Sequence, residues 1–228
     1  TWLVHATAAD AEGSARIATV RGRIVAPLSV DAAALRRVAP LPAPLGLRTL
    51  VLVVDREAPR ATGAAIRTVA ALRKRGHPWR VVVVGTPHDA NELRIHATAV
   101  GLGDACSLVG TPTSTAALLA GADVVWVVAD HDAGGVAVLE AMALGRPLLV
   151  ARGTLGERFV EHPSTARVVD KDDALGNAAL LAALEPEAVR EALGAAARRA
   201  HDARAAATDG SAALADALDR ALRAARAA

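Results

Sequence analysis

The sequence predicts an α/β fold, a Rossmann-like parallel sheet of about six strands flanked by helices. Three observations predict it. Short β-branched or apolar runs of strand length recur along the chain, at 50–54, 79–84, 105–109, 124–128, 147–151 and 166–169. Stretches with helical spacing separate most of them, so strand and helix alternate. The composition demands an aliphatic core: of 228 residues 53% are apolar but only 2% aromatic, with no tyrosine. Val, Leu and Ala suit the tight helix–sheet contacts of a sheet covered on both faces.

The first strand, Leu50-Val-Leu-Val-Val54, contains no polar residue. The helix at 62–75 follows, with Ile66, Val69, Ala70 and Leu72 apolar, and Gly76 and Pro78 end it. Residues 79–84 give the second strand, and 89–102 the second helix with Asp89 as N-cap. The third strand is 105–109 and the third helix 114–122. The fourth strand is 124–128, the fourth helix 136–144, the fifth strand 147–151. A helical stretch at 157–161 precedes the sixth strand, 166–169. Such sheets bind ligands at the carboxyl ends of their strands. The loops after Val54, Val84, Val109 and Val128 are therefore where a site is expected.

Residues 1–48 have a different character. A strand at 2–7, a helix at 8–17 and a strand at 23–27 precede Pro40, Pro42 and Pro44, which mark a linker. This is the pattern of the last βαβ piece of a preceding domain, too small to be stable alone. The tail, 186–228, is Ala/Arg-rich and helical, broken at Thr208-Asp-Gly-Ser211. Coiled-coil and nucleic-acid readings of it are weaker than a surface helix packed back on the domain. Three divisions are expected: 1–48, 49–185 and 186–228.

Composition excludes several function classes. The formal charge is only +2, and arginine outnumbers lysine so strongly that Lys74 and Lys171 are the only lysines. That usage reflects GC-rich coding better than a basic patch. With few aromatics to stack bases, a nucleic-acid partner is not expected. The single cysteine, Cys106, rules out an internal disulfide and a cysteine-based metal cluster. Histidines 5, 77, 88, 96, 131, 162 and 201 show no metal-ligand spacing, so no metal is expected. No uncharged apolar run is long enough to span a membrane, which leaves peripheral membrane contact open. No glycine fingerprint for a nicotinamide cofactor follows the first strand, and no Walker loop is present.

The most informative stretch runs from Ala122 to Pro147. A buried strand leads to an acidic loop, two glycines open a helix, and Gly145-Arg-Pro147 ends it. A helix N-terminus offers free N–H groups and a positive dipole end to a phosphate. Gly134 and Gly135 would let a ligand approach that backbone. Asp132 before the glycines and Glu140 inside the helix are eight residues apart, and together they could hold a polyol. This combination points to a nucleotide sugar. The bland alternatives are a surface glutamate at 140, a capping aspartate at 132 and a plain tight turn at 134–135. His131 is the histidine closest to this chemistry, with a loop hydrogen bond as its simpler role.

These residues resemble the C-terminal, donor-binding half of GT-B-fold retaining glycosyltransferases of the large family 4-like, group 1 class. Ala122-Asp-Val124, Gly135, Glu140-Ala-Met-Ala143, Gly145 and Pro147 match its pattern without a gap. Arg23-Ile-Val-Ala-Pro-Leu-Ser-Val-Asp31, Leu50-Val-Leu-Val-Val-Asp-Arg56, Val83-Val-Gly85 and Leu108-Val-Gly110 are similar to further family pieces in the same order. The resemblance implies that Glu140 binds the ribose hydroxyls, Asp132 the donor-sugar hydroxyls, and Arg56 the diphosphate. It places the backbone at Gly134, Gly135 and Val136 against the sugar or distal phosphate. Gly85 falls in the same site, and Gly110 and Thr111 flank the base. Arg56 and Asp132 would be the catalytic pair. The expected substrate is a UDP- or GDP-sugar, with no cofactor. The acceptor would come through an N-terminal domain, of which residues 1–48 would be the remnant. A cytoplasmic, bacterial, hexosyl-transferring enzyme is implied.

The chain also departs from the family pattern. Asp55 stands where a glycine precedes the arginine, and Glu57 follows it. The usual lysine five residues after Arg56 is absent; Arg60, one position early, is the nearest substitute. Asp132 replaces glutamate, Gly134 an aromatic, and Val128-Ala129 a Pro-Ser pair. Glu157 falls on a family position but equally suits a helix start. The departures support a second reading, a catalytically degenerate domain kept for binding or assembly. A nucleotide-sugar epimerase is a third, although few groups for proton chemistry are evident.

Overall fold

The computed structural model describes residues 2–5, 22–25, 28–42, 44–112, 114–130, 132–207, 212, 215–216, 218–220 and 222–223, with backbone alone at 2–5, 22–25 and 132. These residues divide into two compact units, Thr1–Ser29 with Asp202–Ala228, and Val30–His201. In the first unit, β1 (Trp2–His5) and β2 (Gly22–Val25) pair in parallel, Leu3 opposite Arg23. The expected helix at 8–17 lies outside the described residues, as does the break at 208–211.

The second unit starts at Val30. A single turn of helix, α1 (Ala32–Leu35), is capped by Asp31, whose Oδ1 accepts from Ala34 N at 2.9 Å. Leu35 packs with Ala116 and Ala143. The proline-rich stretch is also docked, with Leu41 N donating to the Ala117 carbonyl at 3.0 Å. Leu35 and Leu41 thus tie this stretch to the sheet domain.

The sheet consists of β3 (Arg48–Val54), β4 (Trp79–Gly85), β5 (Cys106–Gly110), β6 (Val124–Val127), β7 (Leu148–Ala151) and β8 (Arg167–Val169). All six are parallel, in the order β5-β4-β3-β6-β7-β8. Leu50 of β3 stands opposite Val81 of β4 on one side and Val124 of β6 on the other. The chain winds outward from β3 to β5, then returns to β6 on the far side of β3. The crevice between the carboxyl ends of β3 and β6 is the switch point where such sheets hold ligands.

Alternation along the strands fills both faces. Leu50, Leu52 and Val54 point with Trp126 and Val128 toward α2 (Pro59–Lys74), meeting Ala65, Ile66 and Val69. Pro59 at the first position starts α2 without losing a needed N–H. α3 (Ala90–Ala99) begins at Asp89, which accepts from Asn91 N and Glu92 N at 2.8 and 2.9 Å. α4 is short, Ala116–Ala120, inside the longer helix expected at 114–122. α5 (Asp132–Ala143) packs on β3, β6 and β7.

Two helices follow the sheet. α6 (Ala174–Ala182) lies in a stretch where the sequence suggested no element. Its start is set by Asp173 accepting from Gly176 N at 2.9 Å, and Ala178 and Leu181 extend the core beside α2. α7 is Glu187–Ala207, and the division between the two compact units falls after His201. Among the described residues no helix is long and apolar enough to cross a membrane.

Candidate functional site

The carboxyl edge of the sheet gathers the loops after β3, β4, β5 and β6. Among the described residues, the selected site residues lie at the ends of these strands, on the loops after them or on α5. Arg56 is exposed in the turn between β3 and α2, with no hydrogen bond or ion pair among the described residues. The acid before it is the surprise. Asp55 accepts from Glu57 N at 3.0 Å with one oxygen and from Asp130 N at 2.6 Å with the other. Both oxygens of this acid, which the sequence set against a bound diphosphate, are thus held by backbone donors. The same two bonds close the β3 turn and tie it to the loop entering α5. Arg56 and the start of α5 are thereby held on the two sides of the crevice between β3 and β6.

α5 begins at Asp132, four residues before the expected start at Val136. Gly134 and Gly135 are therefore in its first turn, and both are buried. A Cβ on Gly134 would stand 2.2 Å from the Ala129 carbonyl oxygen. The space saved there lets the helix fold back on the end of β6, so for Gly134 packing replaces ligand approach as the physical reason. A 3-10 turn, Leu155–Phe159, covers the same end, with Leu155 N donating to the Asp130 carbonyl at 3.4 Å. Glu157 serves that turn, accepting from Gly153 N at 2.6 Å. Val136 is half-buried in the next turn, and His131 lies outside the described residues.

Eight residues of helix separate Asp132 from Glu140, a rise of about 12 Å.

Glu140 is half-buried and turned toward the loop after β5, where its Oε2 accepts from Thr115 Oγ1 at 3.0 Å. Burial pushes its carboxyl above the ordinary range, and the Thr115 hydroxyl pulls it part of the way back. β5 ends on Gly110, exposed with φ of +73°, and the loop continues with Thr111, whose Oγ1 lies 3.0 Å from Thr86 Oγ1. Gly85, just before Thr86, has φ of +113°, and a Cβ there would be 2.1 Å from the Val54 carbonyl oxygen. Only glycine lets β4 end beside β3 in this way.

A cleft of about 360 Å³ adjoins the Asp55 clamp, lined by Glu57, Arg60, Asp130, Lys171 and Asp172 among others. Lys171 Nζ lies 3.8 Å from Asp130 Oδ2. Sequence reasoning passed over Asp55 as a clamp, Lys171 as a residue of the cleft, and Thr115 altogether. The one available signal was the polar run Asp170-Lys-Asp-Asp173 at the carboxyl end of a strand. Among the described residues no group of three His, Cys, Asp or Glu side chains could hold a metal ion.

Comparison with known proteins identifies the family and the fold. The sequence matches the glycosyl transferases group 1 family over residues 50–200. Among solved structures, Anabaena Alr3699/HepE in complex with UDP and glucose has a TM-score of 0.75 at 16% identity, covering 95% of this chain and 62% of that one. The C-terminal domain of LpcC, a glycosyl transferase group 1 family protein from Francisella tularensis, gives 0.62 at 16% identity, covering 75% and 96%. A Rickettsia africae glycosyltransferase gives 0.72 at 11% identity, covering 87% and 57%. The chain thus spans 62% of the Anabaena protein's length. No curated protein matches the sequence. The six-stranded parallel sheet with its flanking helices is the fold of the C-terminal domain of GT-B glycosyltransferases, and the chain belongs to the group 1 glycosyl transferases.

Proposed function

We propose that this chain is the donor-binding domain of a retaining glycosyltransferase. It takes a hexose from a UDP- or GDP-sugar and works with an N-terminal domain that brings an unidentified acceptor. The observation that carries the proposal is Glu140, a half-buried carboxylate held by Thr115 at the carboxyl edge and about 12 Å along α5 from Asp132. A nucleoside diphosphate sugar fits that spacing, with its ribose at Glu140, its sugar at Asp132 and its diphosphate between them. The Anabaena neighbour was crystallised with UDP-glucose, which supports a uridine donor.

The chemistry is charge management at the leaving group. As the glycosidic bond breaks, negative charge grows on the diphosphate. Arg56, exposed and unpaired among the described residues, meets that charge from one side of the crevice. The amino end of α5 meets it from the other with the positive end of its dipole. Arg60 and Lys171 add cations in the adjoining cleft, in place of the lysine that the family carries after its arginine. Asp132 would orient the sugar for transfer on the face it leaves.

The degenerate-domain reading rested on Asp55 and on the missing lysine. The backbone bonds made by Asp55 supply a structural reason for an acid at this position, which supports the donor-binding reading over the degenerate one. Isothermal titration of the chain with UDP, GDP, UDP-glucose and a GDP-hexose tests the proposal. Saturable heat with one base series is expected, and no heat with any of them at millimolar concentration overturns it.

A further inference from the structure

Thr115 sits at the N-cap of α4, where a threonine hydroxyl ordinarily accepts a backbone N–H of the first turn. Here it does not. Thr115 has helical dihedrals, φ −87° and ψ −14°, and its side chain makes no capping bond. The neighbouring Ser114 takes over, its Oγ accepting from Ala116 N at 3.3 Å. The Thr115 hydroxyl is directed across to α5 and donates to Glu140 Oε2. The capping role is thus given up to hold one oxygen of an acid on another helix.

Resting on the ribose reading of Glu140, we infer that Thr115 is a positioning residue for the ribose clasp. It fixes the Glu140 carboxylate with Oε2 occupied and Oε1 open to a ribose hydroxyl. The pairing selects for the hydroxyls of ribose, because an ionised acid already satisfied on one side only accepts. A nucleotide without them leaves Oε1 half-buried and unpaired.

The surroundings support this assignment. Of the elements packed on α5, α4, β6 and β7 carry no charged residue. α1 ends on Arg36, whose Nε donates to the Ala143 carbonyl at 2.9 Å, and begins at Asp31, which caps it. β3 brings Arg48 at its far, amino end. The 3-10 turn brings Glu157, held by Gly153 N, and Arg158. None of these charges displaces the Glu140 carboxyl; burial raises its pKa and Thr115 lowers it. Thr115 is then the one side chain that favours the ionised, accepting form.

The test compares wild-type chain with Thr115→Val, Thr115→Ser and Glu140→Gln. Each is titrated with UDP, with GDP and with their 2′,3′-dideoxy analogues across pH 4–8, after a thermal melt shows it folded. Thr115→Val is expected to bind the ribose nucleotide about tenfold more weakly, to bind the dideoxy analogue as wild type does, and to be rescued by Thr115→Ser. Ionised Glu140 is the accepting form, so affinity is lost as pH falls through its pKa. Without the hydroxyl that pKa rises further, and the acid limb of binding moves to higher pH. Glu140→Gln weakened for the ribose form alone, with Thr115→Val unchanged in affinity and acid limb, overturns the inference and leaves the ribose reading standing. Equal binding of ribose and dideoxy forms by Glu140→Gln and wild type, or no nucleotide binding at all, overturns both.

Discussion

Glu140 holds a position that opposes its own ionisation, and this sets stability against binding at a single residue. Its pKa in the folded chain is raised from the ordinary 4.5 by burial. The folded state therefore holds the proton more tightly than the unfolded state. The contribution of this group to stability is full below the unfolded pKa and is lost as pH rises through the folded value. At neutral pH the ionised acid costs stability. Glu140→Gln is accordingly expected to melt no lower than wild type at pH 7, while losing ribose-dependent affinity. A lower melting temperature at pH 7, read by circular dichroism, would contradict the burial argument. The acid itself was legible in the sequence because the Glu-Ala-Met-Ala block is local. Its partner was not, since Thr115 comes from another element 25 residues away. Asp55 was legible as a departure but not as a clamp, because its second donor, Asp130 N, lies 75 residues further on.

At the scale of the element, α5 shows why a boundary escaped the sequence while the strands did not. The β-branched runs of β3, β4 and β6 declare themselves, and every one is buried from end to end or nearly so. Asp132-Ala-Gly-Gly135 has poor helix propensity and suggests a loop. It is helical because tertiary packing decides: the first turn lies on the Ala129 carbonyl, under the turn that carries Gly156. Propensity and packing make opposite forecasts for alanine there. In a helix, Gly→Ala ordinarily gains about 1 kcal/mol. A Cβ at 134, however, meets a backbone oxygen at 2.2 Å, and a rigid backbone cannot yield as a side chain does. Such overpacking costs about 1–3 kcal/mol, so the clash wins. Gly63, inside α2, is the contrast, because its Cβ would meet only the flexible end of Arg67 at 3.3 Å. Gly134→Ala is expected to lower the melting temperature by several degrees, and Gly63→Ala to leave it unchanged or raise it. Equal effects at both sites in thermal melts would refute the close approach.

Across the whole sheet unit, Val30–His201, the two edges divide the work. The amino edge is cross-linked. Asp123 accepts from Thr49 N at 2.8 Å, and its other oxygen lies 3.7 Å from Arg190 Nη2. Arg80 Nε donates to Thr49 Oγ1 at 2.8 Å, and Arg73 Nη1 to the Trp79 carbonyl at 2.7 Å. Glu185, between α6 and α7, closes the set. Its Oε1 accepts from Trp79 Nε1 at 3.3 Å and lies 2.5 Å from His77 Nδ1, with Arg48 at 4.0 Å. The carboxyl edge instead leaves Arg56 and Arg60 exposed and unpaired among the described residues. An edge saturated with internal bonds resists opening, whereas one with unpaired cations and a half-buried acid has chemistry left for a ligand. Glu185→Ala separates the two roles. It leaves the indole N–H of Trp79, which is fully buried, without its acceptor. An orphaned buried donor costs about 1–3 kcal/mol, which at this chain length shifts the melting temperature by roughly 2–4 °C per kcal/mol. The site lies at the opposite ends of the same strands, so nucleotide affinity measured below the transition is expected to match wild type. A variant that melts normally but binds UDP or GDP poorly would reverse the assignment of the two edges.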